Sequence, residues 1–446
     1  MSAATAVAGG LVAVLLAVPW LAAGQEPAIR HHVLPNGMTV IVRENPTAGV
    51  MAAALHVRGG SREESAESAG VTNLLTRVML RGTARRSASE VAEAAEALGG
   101  RLEAAGEADY AELRGAALAR HGERLLSLLA EVALEPALDA AELERERRLV
   151  LGEIQTRADN PFPLALDTLQ RHLYRGHPYA VPSIGLETSV ERLTREALVA
   201  RYREIYRPQR MVLAVSGRVA ADRVVRLADR LFGNMARDAA VAPAAAGRAS
   251  GRQETAWRGR VRPERHVVEK RAQQAQVLVG FVAAGIADAD YAALKVLSAV
   301  LGGGMSGRLF VELREKRALA YAVGVANPSR AGPAYFVAYI GTEPRNAEVA
   351  EAGLRREVER VSADEVSEAE LARAKAYLLG TLAMDRRTNA RQAWYLAFFE
   401  SMGAGWDFPD RYAREVERIT VADVKRVAER YLAVPTVVVL TPPAAG

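Results

Sequence analysis

The chain has 446 residues, half of them hydrophobic, which is too many for one core and suits two domains of roughly 200 residues each. Its 58 basic and 53 acidic residues are interspersed, so the net charge of +5 describes a solvated surface and offers no Lys/Arg run for nucleic acid. The absence of cysteine excludes disulfides, thiolate metal sites and a lipid-bearing cysteine.

Residues 1–25 carry no charged side chain, and the apolar run Leu11 to Leu21 is followed by Ala22-Ala23-Gly24, small residues suited to signal-peptidase cleavage. We read 1–24 as a signal peptide and expect an exported chain, periplasmic or secreted, with no membrane span after cleavage. Because the segment lacks Lys and Arg ahead of its apolar run, an uncleaved N-terminal anchor is the alternative.

In chain order, Val33 to Val42 predicts a hairpin turning on Pro35-Asn36-Gly37, and Met51 to Val57 predicts a second strand ending at Gly59-Gly60. Ser87-Ala88-Ser89-Glu90 is a capping box opening a short helix that Gly99-Gly100 closes. Leu125, Leu128, Leu129 and Val132 recur at helical spacing, and Glu142 to Arg157 is a charge-rich helix. The strand 211–215 follows a helix that ends near Tyr206-Arg207-Pro208.

That last segment recurs. Leu193-Thr194 through the strand 211–215 lines up with Ile419-Thr420 through the strand 436–440, at an offset of 226 near its start, so we expect an internal duplication. A stretch rich in Ala, Gly, Arg and Pro separates the copies, giving domains at 25–235 and 263–446 joined by a linker at 236–262. The second domain is expected to open with a strand over 274–281 and a helix over 290–301, which Gly302-Gly303-Gly304 ends. No Gly-Lys-Ser/Thr follows these glycines, so they read as a C-cap and bend and not as a phosphate loop.

The stretch Gly70 to Thr83 resembles the active-site helix of the insulinase/pitrilysin family of zinc peptidases, whose His-x-x-Glu-His motif is commonly followed by Met-Leu-x-x-Gly-Thr, as Met79-Leu80-Arg81-Gly82-Thr83 is here. Two histidines at i and i+4 on one helical face reach one ion, and the glutamate beside them polarises the attacking water. In this chain the three places hold Asn73, Thr76 and Arg77. The family's third ligand, a glutamate about 80 residues after the first histidine, is matched by Glu153. Alone, a glutamate on so acidic a helix reads as a solvated surface residue; the resemblance makes it a buried remnant of the site.

Leu309 to Tyr321 resembles the family's second-domain signature, in which an arginine and a tyrosine seven residues later face the zinc site across a chamber; Arg314 and Tyr321 keep that spacing. Such an arginine forks onto a substrate carbonyl or carboxylate, and the tyrosine donates to the developing oxyanion. Read without the resemblance, they are a surface arginine on an amphipathic helix and a core tyrosine at a strand start. The non-catalytic subunit of the related mitochondrial processing peptidase has a longer glycine-rich loop, implicated in substrate handling, where Gly302, Gly303 and Gly304 stand.

Arginine has donors and no lone pair for a metal, and it adds a cation where zinc would sit. None of the seven histidines pair at i, i+4. We therefore expect no tight zinc site in this chain, and Arg77 to stand in for the ion by pairing with Glu153. The resemblance implies two α+β domains of one fold, each a mainly antiparallel sheet packed with helices, facing one another like a clam. It also implies the non-catalytic subunit of a heterodimer, with a zinc-bearing homologue as partner and a peptide as substrate. A structural or peptide-binding homologue without a catalytic role is the alternative.

Overall fold

The computed structural model describes residues 28–238, 262–364 and 366–443. The signal peptide expected at 1–24 lies outside the described residues, as does all of the expected linker but its two ends.

The first half begins with the expected hairpin, β1 (Ile29–Val33) and β2 (Thr39–Glu44), paired antiparallel. Its turn is fixed by Asn36 Oδ1, which accepts from the Met38 N–H at 3.1 Å, and by Gly37 at φ +93°. There follow β3 (Val50–Arg58), α1 (Val71–Met79), α2 (Ala88–Glu96), β4 (Arg101–Gly106) and β5 (Tyr110–Leu118). The capping box at Ser87 and Glu90 is present at the start of α2. Next come α3 (Gly122–Leu134), α4 (Ala140–Asp159), α5 (Pro161–Leu173), α6 (Glu187–Val190), α7 (Arg195–Ile205), β6 (Met211–Gly217) and α8 (Ala221–Phe232). The strands form one sheet in the order β1-β2-β6-β3-β5-β4, antiparallel except for β2 beside β6.

The second half contains β7 (Glu264–Glu269), β8 (Ala275–Ala283), α9 (Tyr291–Gly302), a π-helical turn at Phe310–Glu315, β9 (Ala322–Ala326) and β10 (Ala334–Thr342). It closes with α10 (Ala347–Ala363), α11 (Glu368–Asp385), α12 (Asn389–Ser401), α13 (Phe408–Arg418), α14 (Val421–Tyr431) and β11 (Thr436–Thr441). The order β7-β11-β8-β10-β9 repeats that of the first sheet without β1, and β7 beside β11 is again the parallel pair. The duplication is exact at α7 and α14, which begin and end 226 residues apart and are each capped by a threonine, Thr194 and Thr420.

The halves interlock. Leu169 and Leu173 of α5 pack with Leu278, Val337 and Val438 of the second sheet, and Gly280 lets Leu169 close onto β8, since a Cβ there would stand 2.6 Å from it. Reciprocally, Ala393, Leu396 and Ala397 of α12 pack with Ile41, Ala54 and Val212 of the first sheet. Each sheet is thus buried on both faces, one face being covered by a helix of the other half, which is why β6 and β8 are apolar almost throughout.

Candidate functional site

Helix α1 is entered through Gly70 at φ +91°, and the Glu64 carboxylate accepts from the Gly70 and Thr72 N–H groups at 2.7 and 2.8 Å, placing negative charge on the first turn. Leu74, Leu75, Val78 and Met79 are buried in the first core, so Asn73, Thr76 and Arg77 are turned toward β4 and α4. Gly106 on β4 allows this approach: a Cβ there would lie 2.6 Å from the Asn73 backbone.

Arg77 forks onto Glu153. Its Nη1 donates to Oε1 at 2.9 Å and its Nη2 to Oε2 at 2.5 Å. One correction follows: the Glu153 side chain is 49% exposed and is no buried remnant. The buried carboxylate is Glu146, 2% exposed, two turns earlier on the same face of α4. It accepts from Arg81 Nε at 2.5 Å, and Arg77 Nη1 lies 3.7 Å from its other oxygen. Two guanidiniums and two carboxylates therefore fill this end of α1. Sequence reasoning missed Arg81 and Glu146, although both were within reach of it. Arg81 stands four residues after Arg77 and Glu146 seven before Glu153, spacings that put each on the face of the residue already singled out.

The remaining motif positions do not fit zinc. Thr76 Oγ donates to the Asn73 carbonyl at 2.9 Å, as a helical hydroxyl does. Asn73 Oδ1 is buried with no hydrogen-bond partner among the described residues, and an amide oxygen is a weak ligand for zinc. With Arg77 a fixed cation on Glu153, this residue set offers an ion one shared carboxylate and a weak amide oxygen.

The segment bearing Arg314 differs from the expected amphipathic helix: it is a single π-helical turn, with Lys316 N–H reaching Val311 O at 3.0 Å. Leu309 and Leu313 are buried while the charged side chains face out, and extra residues are taken up in the wide turn. Ala318 follows at φ +51°, a left-handed conformation that costs a non-glycine residue about 1 kcal/mol or more and marks a constrained stretch between Arg314 and Tyr321. Tyr321 is 55% exposed, not the core tyrosine of the unaided reading, and its hydroxyl stands 3.5 Å from Glu343 Oε1. Arg314 lies over the Phe310 ring at 5.1 Å. No hydrogen bond, ion pair or ring contact joins Arg314 or Tyr321 to Arg77 or Glu153 among the described residues. Gly302 lets the end of α9 meet β9, a Cβ there lying 2.6 Å from Val325 N, and Gly304 turns at φ +70°. Gly303 packs on the Ala299 carbonyl, where a Cβ would stand 2.3 Å away, so close packing requires Gly302 and Gly303 and the left-handed turn favours Gly304.

Where the β4–β5 turn of the first half, Glu107 to Tyr110, meets the second half lies a cavity of about 800 Å³, walled otherwise by Tyr291, Tyr377, Trp394, Tyr395 and Phe398 with Asp385, Arg387 and Arg391 at its polar side. Asp385 binds Arg391 Nη2 at 2.5 Å and accepts from the Tyr395 hydroxyl at 2.7 Å, and these contacts hold its carboxyl below the usual range against the opposing effect of burial.

Two family models match the chain: Insulinase (Peptidase family M16) over residues 39–185, and Peptidase M16 inactive domain over residues 192–378. An uncharacterized zinc protease of Mycobacterium tuberculosis is 31% identical over 410 residues, covering 91% of each protein. One of Bacillus subtilis is 26% identical over 366 residues, covering 82% of this chain and 86% of the relative. Among solved structures, a peptidase M16 inactive domain from Pseudomonas fluorescens superposes with a TM-score of 0.84 at 22% identity, covering 94% of this chain and 98% of the other. A protease from Helicobacter pylori does so at 0.85 and 22%, covering 93% and 100%. With both halves matched by family models and a 31% identical relative aligned along 91% of its length, the chain belongs to the insulinase family, peptidase family M16.

Proposed function

We propose that this chain is the non-catalytic subunit of an exported, heterodimeric zinc metallopeptidase acting on peptides. The observation that carries the reading is the forked Arg77–Glu153 pair, a fixed cation where the family resemblance puts the metal, while Arg314 and Tyr321 stay exposed with only a ring contact to Phe310 and a 3.5 Å contact to Glu343 within the chain. The zinc and the general base belong to the partner. Arg314 holds the substrate backbone by a forked contact, and the Tyr321 hydroxyl donates to the oxyanion formed when water attacks the peptide carbonyl.

The test is cleavage of a mixed quenched-peptide library by this chain, by a co-expressed exported homologue with an intact His-x-x-Glu-His, and by both together. Activity in the mixture alone, falling by about 10²–10³ in kcat with Tyr321→Phe, is the expected result. The large aromatic cavity between the halves favours a second reading, a peptide-binding homologue without a catalytic role. A stable complex without gain of activity on mixing, together with peptide binding lost in Tyr377→Ala, whose side chain lines the cavity and is exposed, supports that one instead.

A further inference from the structure

His172 ends α5 in the first half, and Glu264 and His266 stand on β7 in the second. Two residues apart on a strand, Glu264 and His266 share a face, and the half-buried alternation of β7 shows that it is the face turned inward. Val438 of β11 pairs with His266 and also packs under Leu169 and Leu173 of α5, so the interlocking helix carries His172 over the same strand. The imidazole rings of His172 and His266 lie 3.5 Å apart at an interplanar angle of 14°. His266 Nε2 is 3.0 Å from Glu264 Oε2, and one ligand-capable atom from each of the three residues lies within 4.8 Å of the others.

We infer that His172, Glu264 and His266 form a binding site for a divalent transition-metal ion of the zinc type, bridging the two halves. Two imidazoles and a carboxylate are a donor set that zinc accepts, with a fourth position open to water. Bonds of about 2.0–2.2 Å in a tetrahedron bring ligand atoms to roughly 3.4 Å from one another. Closing the present spread to that requires the side chains to rotate, which three half-buried residues have room to do. The stacked rings must also fan apart, since an imidazole lone pair lies in its ring plane. Arg175 opposes the ion, because its Nη2 stands 3.1 Å from His172 Nδ1 and competes for that nitrogen. This site is independent of the Arg77 position, and it uses residues from both halves that no sequence spacing connects.

The experiment is a zinc titration of the full chain, stripped with a chelator and followed by calorimetry and by metal content after desalting. One zinc per chain with a raised Tm is expected, lost in His172→Ala and in His266→Ala, and tightened in Arg175→Ala, which frees His172 Nδ1. Circular dichroism checks that each variant is folded. No stoichiometric zinc in the parent chain, or zinc retained by the folded His172→Ala/His266→Ala double variant, overturns the assignment.

Discussion

Arg77 on α1 and Glu153 on α4 meet through two parallel hydrogen bonds, so a guanidinium closes the place to which the sequence resemblance assigns a zinc ion. The same guanidinium reaches toward Glu146, but Arg81 is the closer partner of that buried carboxylate. Exposure decides which contact matters: a half-exposed pair is screened by water, whereas a buried charge that loses its partner keeps its full desolvation cost.

Arg77→Ala is therefore expected to cost at most about 1 kcal/mol, as exposed ion pairs do. Arg81→Ala is expected to cost roughly 3 kcal/mol, because it strips the nearer cation from Glu146. Urea unfolding of both variants checks the order; equal losses would mean that Arg77 supports Glu146 as much as Arg81 does.

The frame around the motif is intact, so its chemistry should be restorable. Asn73→His, Thr76→Glu and Arg77→His together place two imidazoles at i and i+4 opposite Glu153. Made in a His172→Ala/His266→Ala background, which removes the second proposed site, this triple variant is expected to hold one zinc per chain where its parent holds none. Metal analysis after desalting is the readout. Failure to take up zinc would show that the backbone of α1, and not only its side chains, has moved away from a metal geometry.

Much of this was legible locally. Pro35-Asn36-Gly37 encodes its own turn, Ser87 and Glu90 their own cap, and the threonine-capped helix and strand repeated at an offset of 226 announce the duplication. The Arg77–Glu153 pair was legible only through the family resemblance, since no periodicity links residues on two different helices. What sequence could not show are contacts made by the interlocking of the halves: α5 on the second sheet, α12 on the first, and His172 against His266. The π-helical turn was also out of reach, because its extra residues keep the apolar spacing of Leu309 and Leu313 that an ordinary helix would have.

Trp394 of α12 donates its indole N–H to Glu112 Oε2 of β5 at 3.0 Å, inside the interlocked interface, where His56 Nε2 stands 3.3 Å from the same oxygen. Burial pushes the His56 imidazole down against the pull of Glu112, and Arg114 Nη1 stands 3.2 Å from the other carboxylate oxygen, so the indole shares this buried carboxylate with a guanidinium. Trp394→Phe keeps most of the ring and removes the donor; a loss of about 1–3 kcal/mol is expected. A double-mutant cycle with Glu112→Met, which removes the acceptor, checks this, because a purely steric effect would give additive losses.

Arg308 precedes the π-helical turn and binds Glu370 of α11 through Nε at 2.8 Å and Nη2 at 3.2 Å, tying the segment that carries Arg314 to a long helix. The Arg308 hydrogen bonds, outweighing the opposing effect of burial and aided by the Ser367 N–H and hydroxyl, hold the Glu370 carboxyl at a pKa of about 2, below its ordinary 4.5. A carboxyl depressed in the folded state contributes stability that is fully present above pH 4.5 and is lost as the pH falls toward 2. Glu370→Gln should therefore be less stable than the parent chain at pH 7, and the gap should narrow between pH 4.5 and 2 as the parent loses the ion pair. Urea unfolding at pH 7, 5, 4 and 3 measures it. A gap that stays constant down to pH 3 would place the contribution of Glu370 in contacts that glutamine cannot make but that do not depend on its charge.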